Sequence, residues 1–294
     1  MYSPDRAGFG NSEPFDKKNL NSKDCMKVNE QDKAIDLIVR DLWEFTKICE
    51  WKRFSIIGFS AGGLYARAMV AYYLNNILDR RFNEGGEDYP KLECVAIVAG
   101  LCCSAGVEGM MMPMQKFYRF SSTKDCIFQS RLRTYFSFSR GLLYMLPQWV
   151  ETQILKRFCR RNFPSVDNKI IQGDQVLIDH MLNVLKDAFL QGSYASVLEA
   201  KILFRKKQGF ENVLNSSFHS RAQELLLNKR QEDDFPKIGI FQGSADLHVP
   251  ISHAYYTQDL FHGLSKLVLY DDLAHFTVFI EKMKDYIDFV SVNH

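Results

Sequence analysis

The sequence predicts an α/β fold, and three stretches predict it. An apolar run, Arg53-Phe54-Ser55-Ile56-Ile57, passes through Gly58-Phe59-Ser60-Ala61-Gly62-Gly63 into the helix-favouring Leu64-Tyr65-Ala66-Arg67-Ala68-Met69. Lys237-Ile238-Gly239-Ile240-Phe241-Gln242-Gly243 reads as a buried strand that ends in Ser244-Ala245-Asp246-Leu247-His248-Val249-Pro250. Residues 266–270 read as a further strand, followed by Asp271-Asp272-Leu273-Ala274-His275-Phe276 and a helix over 277–290.

The first stretch has the form of a nucleophile elbow. A serine hydroxyl attacks poorly unless it is held clear of the backbone beside a base, and a tight strand-to-helix turn does this by straining the serine. Glycines two residues before and two after Ser60 are expected to remove side chains that would collide across the turn. A serine nucleophile also needs a histidine and an orienting carboxylate. Asp246, past the end of one strand, and His275, past the end of the next, supply them, and the chain order is Ser60, Asp246, His275. His248, two positions after Asp246, is read as a chance neighbour, and Asp271 and Asp272, very near His275 in sequence, are the runners-up to Asp246 as the acid.

These residues resemble the α/β-hydrolases. Asp5-Arg6-Ala7-Gly8-Phe9-Gly10-Asn11-Ser12 is similar to the family's Asp-x-x-Gly-x-Gly-x-Ser turn. Gly243-x-x-Asp246-x-x-Val249-Pro250 is similar to its acid loop, and Ala274-His275-Phe276 to its histidine loop. The resemblance implies a mostly parallel sheet, the carboxyl-terminal portion of the fold, with a helical cap inserted. It divides the chain into a catalytic core over 1–103, a cap over 104–230 and the rest of the core over 231–294. The family's first four strands are missing, which would leave strand 53–57 as an edge with Ile56 and Ile57 on an uncovered margin, an aggregation liability. The loop that normally supplies one oxyanion-hole donor is missing too, leaving the backbone N–H of Ala61. Losing one such donor costs on the order of 10²–10³ in rate. A fragment, or a Met1 internal to a longer reading frame, is therefore expected.

Composition agrees with one large domain plus an insertion: 294 residues, 46% hydrophobic, leave ample material for a core. The net charge of +2 gives no argument for nucleic acid. Seven cysteines, with no Cys-x-x-Cys pair, favour free thiols in a reducing compartment, hence a cytoplasmic protein. No metal-ligand spacing appears, and neither metal nor cofactor is expected. The Asn215-Ser216-Ser217 sequon is discounted.

Residues 31–49 recur at helical spacing, with Ile35, Ile38, Leu42 and Phe45 on one face. A helix over 61–78 and a short buried strand over 93–99 follow. Roughly 135 residues then separate that strand from the next, far more than a crossover helix needs. Within them, segment 131–163 combines Arg131, Arg133, Arg140, Lys156, Arg157, Arg160 and Arg161 with aromatic and aliphatic residues. Peripheral contact with an anionic membrane is one reading, and an apolar face packed on the core with arginines in water is the other. Met110, Met111 and Met112 are candidates for lining an acyl-chain pocket, and Phe59 for touching substrate. Residues 191–200 resemble a cap-exit helix, on which Glu199 is a candidate for orienting substrate.

The mechanism expected is acyl transfer to water from a small-molecule ester, thioester or amide, as in carboxylesterases and lipases. Ser60 argues against epoxide hydrolases and dehalogenases, whose nucleophile is an aspartate. A proline-iminopeptidase-like aminopeptidase and a catalytically impaired module that binds a ligand or partner remain alternatives.

Overall fold

The computed structural model describes Tyr2, Pro4 and residues 28–77, 89–106, 108–110, 115, 141, 145–188, 199, 202–203, 209–227, 235–262 and 264–291. The α-helices with bounds among the described residues are α1 (Val28–Ile48), α2 (Gly62–Tyr72), α3 (Gln148–Asn162), α4 (Ser165–Gly173), α5 (Gln175–Ala188), α6 (Gly209–Leu227), α7 (Ile251–Leu260), α8 (His275–Glu281) and α9 (Met283–Ser291). The chain divides into two compact units, Ile35–Met110 with Lys206–His294, and Met1–Ala34 with Met111–Arg205.

Among the described residues the first unit is built on four parallel strands, β1 (Arg53–Phe59), β2 (Lys91–Val98), β3 (Lys237–Gly243) and β4 (Ser265–Tyr270), paired in that order. Every residue of β2 after Lys91 is buried, as an interior strand of a parallel sheet requires. The register sets Phe59 beside Val98, Val98 beside Phe241, and Gly243 beside Tyr270, so the carboxyl ends fall in one row. Open α/β sheets bind their ligands along such a row.

On one face, Ala96, Val98 and Phe241 pack with Val278 of α8 and Tyr286 of α9. The opposite face carries Ile97, against which the start of α2 lies: a Cβ placed on Gly63 would stand 3.3 Å from Ile97 Cγ2. Among the described residues β1 is at one end of the strand order. Ile56 and Ile57 are nevertheless not the uncovered margin expected. Both are partly buried, Ile57 joins the cluster under α8 and α9, and Ser55 Oγ donates to the Val290 carbonyl at 3.3 Å.

Several element readings shift. The buried face of α1 runs through Ile35, Ile38, Val39, Trp43 and Thr46, while Leu42 and Phe45 are only half-buried. Trp43 rotates the stripe because its indole has the most apolar area to hide, and it packs edge-on against Phe54 at 5.6 Å. The single helix expected over 277–290 is two, broken at Lys282, with His275 as the first residue of α8. Helix α2 passes at Tyr73–Ile77 into one wider turn.

The glycine argument also needs correction. A Cβ on Gly58 would lie 2.7 Å from the Gly62 carbonyl oxygen, but one on Gly62 would meet nothing within 4 Å. The second crowded position is Gly63, where a Cβ would stand 2.7 Å from the Gly100 Cα. Two backbones cross there, and only glycine lets them approach.

α6 belongs with the sheet, although it falls inside the 104–230 range expected for the cap. Leu214 and Phe218 are buried, and Phe218 meets Phe261 edge-on at 4.9 Å. The buried Glu211 accepts hydrogen bonds from Ser104 Oγ at 2.9 and 2.7 Å and from the Cys102 thiol at 3.6 Å. His253 Nδ1 accepts the Cys102 N–H at 2.9 Å, and the buried Arg67 donates to the Leu101 carbonyl at 2.8 Å.

The second unit packs α3, α4 and α5 around Cys159, Ile171, Ile178 and Leu182. Glu151, 3% exposed, is compensated by Lys186 Nζ at 2.7 Å. Trp149, Ile154, Phe158, Arg157, Arg160 and Arg161 are exposed on α3. Cys49, Cys94, Cys102 and Cys159 are free thiols. No helix among the described residues is long and apolar enough to cross a membrane.

Two outcomes are expected. Gly63→Ala lowers stability by about 1–3 kcal/mol through forced backbone movement, whereas Gly62→Ala is neutral or stabilising by up to about 1 kcal/mol, as urea denaturation would show. His253 is pushed down to about 4 by burial and by Arg67, against the pull of Asp246, so it is neutral when folded and gains a proton on unfolding in acid. This stability is fully present above about pH 6.5 and is lost as the pH falls from there to the folded value. About 2 kcal/mol should disappear between pH 7 and 5, and His253→Asn, which keeps an acceptor for the Cys102 N–H, should flatten that slope.

Candidate active site

Ser60 follows the last residue of β1 and takes φ +53°. A non-glycine residue in that region costs about 1–3 kcal/mol and persists only where its surroundings over-determine it. Here they do. Its N–H donates to the Val98 carbonyl at 3.0 Å, and its carbonyl accepts from Gly63 N–H at 3.0 Å and Leu101 N–H at 2.8 Å. The ends of β1 and β2 therefore hold the serine from both sides. Ala61 is helical, at φ −55° and ψ −32°, and stands at the N-cap position of α2 with no side-chain capping bond. The unsatisfied N–H groups of a helix start favour negative charge there.

Asp246 sits on the loop after β3, and that loop is tied to the one after β4. Ser244 N–H donates to the Tyr270 carbonyl at 3.0 Å, Ala245 N–H to the Leu273 carbonyl at 2.9 Å, and Asp272 N–H to Ser244 Oγ at 3.0 Å. Gly243 permits this: a Cβ there would stand 2.3 Å from the Leu273 oxygen. Joined this way, the loops bring His275 Nδ1 to Asp246 Oδ2 at 2.8 Å, with both residues 3% exposed. Asp271 and Asp272 are exposed, and Asp246 is the carboxylate against the ring.

The carboxylate has a full set of donors. Oδ1 accepts the N–H of His248 at 2.8 Å and of Val249 at 2.9 Å, while Oδ2 accepts from His275 and, at 3.2 Å, from Gln242 Nε2. Burial pushes the Asp246 carboxyl up, but His275 and the N–H donors outweigh it and hold the group below its usual range. A carboxylate can only accept, so the proton of the neutral imidazole lies on Nδ1 and the lone pair on Nε2.

The His275 ring is clasped by aromatic neighbours. His248 stacks on it at 4.9 Å and 24°, Phe59 lies tilted at 4.8 Å, and Phe276 stands edge-on at 5.4 Å. His248 is pushed down to about 3, first by burial and then by His275, against the pull of Asp246, so it is a neutral stacking partner at ordinary pH. Phe59 also stacks on Phe279 at 4.2 Å. Its ring therefore supports His275, and its backbone leads directly into Ser60.

The structure thus brings Asp246 and His275 into contact and places Ser60 on the strand end whose Phe59 touches that histidine. Met110 is buried at 3% exposure, and Met111 and Met112 lie outside the described residues, as do Asp5 to Ser12 and, apart from Glu199, the 191–200 helix. Two neighbours escaped the sequence reading. His248 was visible only as a motif-adjacent histidine, and Gln242 only as a polar residue in an apolar strand.

No protein-family model matches the chain, and no curated protein matches it in sequence. Solved structures do. A bromoperoxidase from Bacillus anthracis aligns with a TM-score of 0.53 and 15% identity, over 97% of this chain and 79% of that one. An esterase from Exiguobacterium antarcticum aligns with a TM-score of 0.51 and 13% identity, over 97% and 77%. MGS-M2, an α/β-hydrolase enzyme from a Medee basin deep-sea metagenome library, aligns with a TM-score of 0.51 and 11% identity, over 97% and 76%. With its parallel sheet, its strained serine after β1 and its acid and histidine loops after β3 and β4, the chain has the α/β-hydrolase fold.

Proposed function

We propose that this protein is a serine hydrolase that cleaves small-molecule esters or related acyl compounds through an acyl-enzyme. The observation that carries the reading is the buried Asp246–His275 contact of 2.8 Å, set beside the strand end that presents Ser60 at φ +53°. Ser60 Oγ attacks the substrate carbonyl carbon while His275 Nε2 takes its proton. The tetrahedral oxyanion forms near the start of α2, where the Ala61 N–H supplies one donor. The intermediate collapses as His275 returns the proton to the leaving group. Water, deprotonated by the same nitrogen, then releases the acid from Ser60. Asp246 keeps the ring in the productive tautomer and stabilises the imidazolium. No step needs a metal or an organic cofactor. The free thiols Cys49, Cys94, Cys102 and Cys159 support a reducing, cytoplasmic setting.

A further part of the reading concerns α3. Trp149 is 72% exposed, and Ile154 and Phe158 stand beside exposed Arg157, Arg160 and Arg161. The only acidic residue of that helix, Glu151, is buried and paired. This combination of apolar and cationic side chains suits contact with an anionic lipid surface.

Fluorophosphonate should add one adduct at Ser60, and Ser60→Ala should abolish labelling and lower ester hydrolysis by at least about 10³-fold. Asp246→Asn should lower kcat by about 10²–10⁴-fold through the wrong tautomer. A folded wild-type chain that neither labels nor hydrolyses short and long acyl esters would instead favour a ligand-binding module. Hydrolysis of aminoacyl amides alone would favour an aminopeptidase. Co-sedimentation with phosphatidylserine vesicles, weaker with phosphatidylcholine and lost in Arg157→Glu/Arg161→Glu, is the outcome expected of α3.

A further inference from the structure

Gln242 is the next-to-last residue of β3 and is 1% exposed. Strand alternation gives it the face of Ile238 and Ile240, both buried apolar residues, so a leucine or valine would suit the position in packing terms. The amide is instead buried with a purpose visible in its contacts. Nε2 lies 2.8 Å from the Val249 carbonyl, 3.4 Å from the Gly243 carbonyl and 3.2 Å from Asp246 Oδ2. All three are acceptors, so the orientation of the amide is fixed: turned over, Oε1 would face three oxygens. Oε1 itself has no hydrogen-bond partner among the described residues. One end of the amide is left unsatisfied while the other spans the acid loop from Gly243 to Val249 and touches the carboxylate between them.

We propose that Gln242 is a positioning residue for the Asp246–His275 pair, fixing Oδ2 against the ring and sharing its negative charge. With Oδ1 held by two backbone N–H groups, Gln242 is the donor that stops the carboxylate from turning Oδ2 out of line with Nδ1. It also withdraws charge from the oxygen that stabilises the imidazolium. Removing it lets the carboxylate turn, and the pair loses alignment. The titratable groups facing His275 among the described residues are Asp246 and His248, and His248 titrates far below the range of interest. The effect on catalysis rests on the hydrolase reading above, whereas the effect on the ring does not.

The test uses the full chain with 15N-labelled histidine and glutamine side chains. In the wild type, the Gln242 amide signals should shift with the His275 titration midpoint, because both donate to one oxygen. In Gln242→Leu and in Gln242→Asn, which is too short to reach, the His275 Nδ1–H should exchange with water about tenfold faster, because a misaligned hydrogen bond opens more often. Ester hydrolysis should lose about tenfold in kcat with KM within about twofold, since the lost alignment matters most as the proton moves. Flat Gln242 signals through the titration overturn the proposal even if neither variant folds. So does an unchanged His275 Nδ1–H exchange rate in variants that merely melt earlier. If the amide signals and the exchange rate move as stated but the wild type neither labels at Ser60 nor hydrolyses esters, the positioning of the pair stands and the hydrolase reading falls.

Discussion

The left-handed turn at Ser60 is the constraint on which the rest of this molecule depends. A strand can pass into a helix at so sharp an angle only if one residue leaves the ordinary backbone regions. The cost is repaid locally by hydrogen bonds on both sides of the serine, from Gly63 and Leu101 to its carbonyl and from its own N–H to Val98. Those bonds join β1 to the end of β2, so the turn and the central strand cannot move apart. Once α2 leaves the sheet in that direction, its first residues lie on Gly100 and Ile97, and the crossing tolerates no side chain at Gly63.

The opposite end of the sheet solves a different problem, the burial of a carboxylate. A charge at 3% exposure is costly unless paired and fully hydrogen-bonded, and Asp246 has four donors on its two oxygens. Three come from its own strand and loop, and the fourth from a histidine 29 positions on. The loops after β3 and β4 are laced by backbone hydrogen bonds, so the same economy that makes the charge tolerable also sets His275 in place.

A third polar group ties α6 and α7 to the end of β2. Glu211 gathers Ser104, Cys102 and Tyr256, while His253 satisfies the Cys102 N–H. Burial and nearby Glu211 outweigh Arg67 and push the Cys102 thiol up to about 11, so it serves as a donor and not as a nucleophile. The chain leaves the sheet unit after Met110 and re-enters it at Lys206. Glu211 and Ser104 therefore fasten together the two ends of the excursion.

Much of this was legible in sequence because it is local. The strand before Ser60, the positions of Asp246 and His275 after strands, and their order along the chain follow from hydrophobic runs and turn residues within about ten positions of each. What depended on distant partners was not legible. Trp43 took the buried face from Leu42 because Phe54 and Tyr73 wait across the packing layer. Gly63 and not Gly62 carries the crossing because Gly100 lies opposite it. α6 joined the sheet unit through Ser104 and Phe261, far away in the chain. The sequence by itself determined which residue types stand at the ends of which strands, since periodicity and turn chemistry are written over short spans. Only the tertiary structure decided that Gln242 and His248 serve the Asp246–His275 pair. Burial and hydrogen-bond satisfaction are properties of a packed neighbourhood, and no single segment contains one.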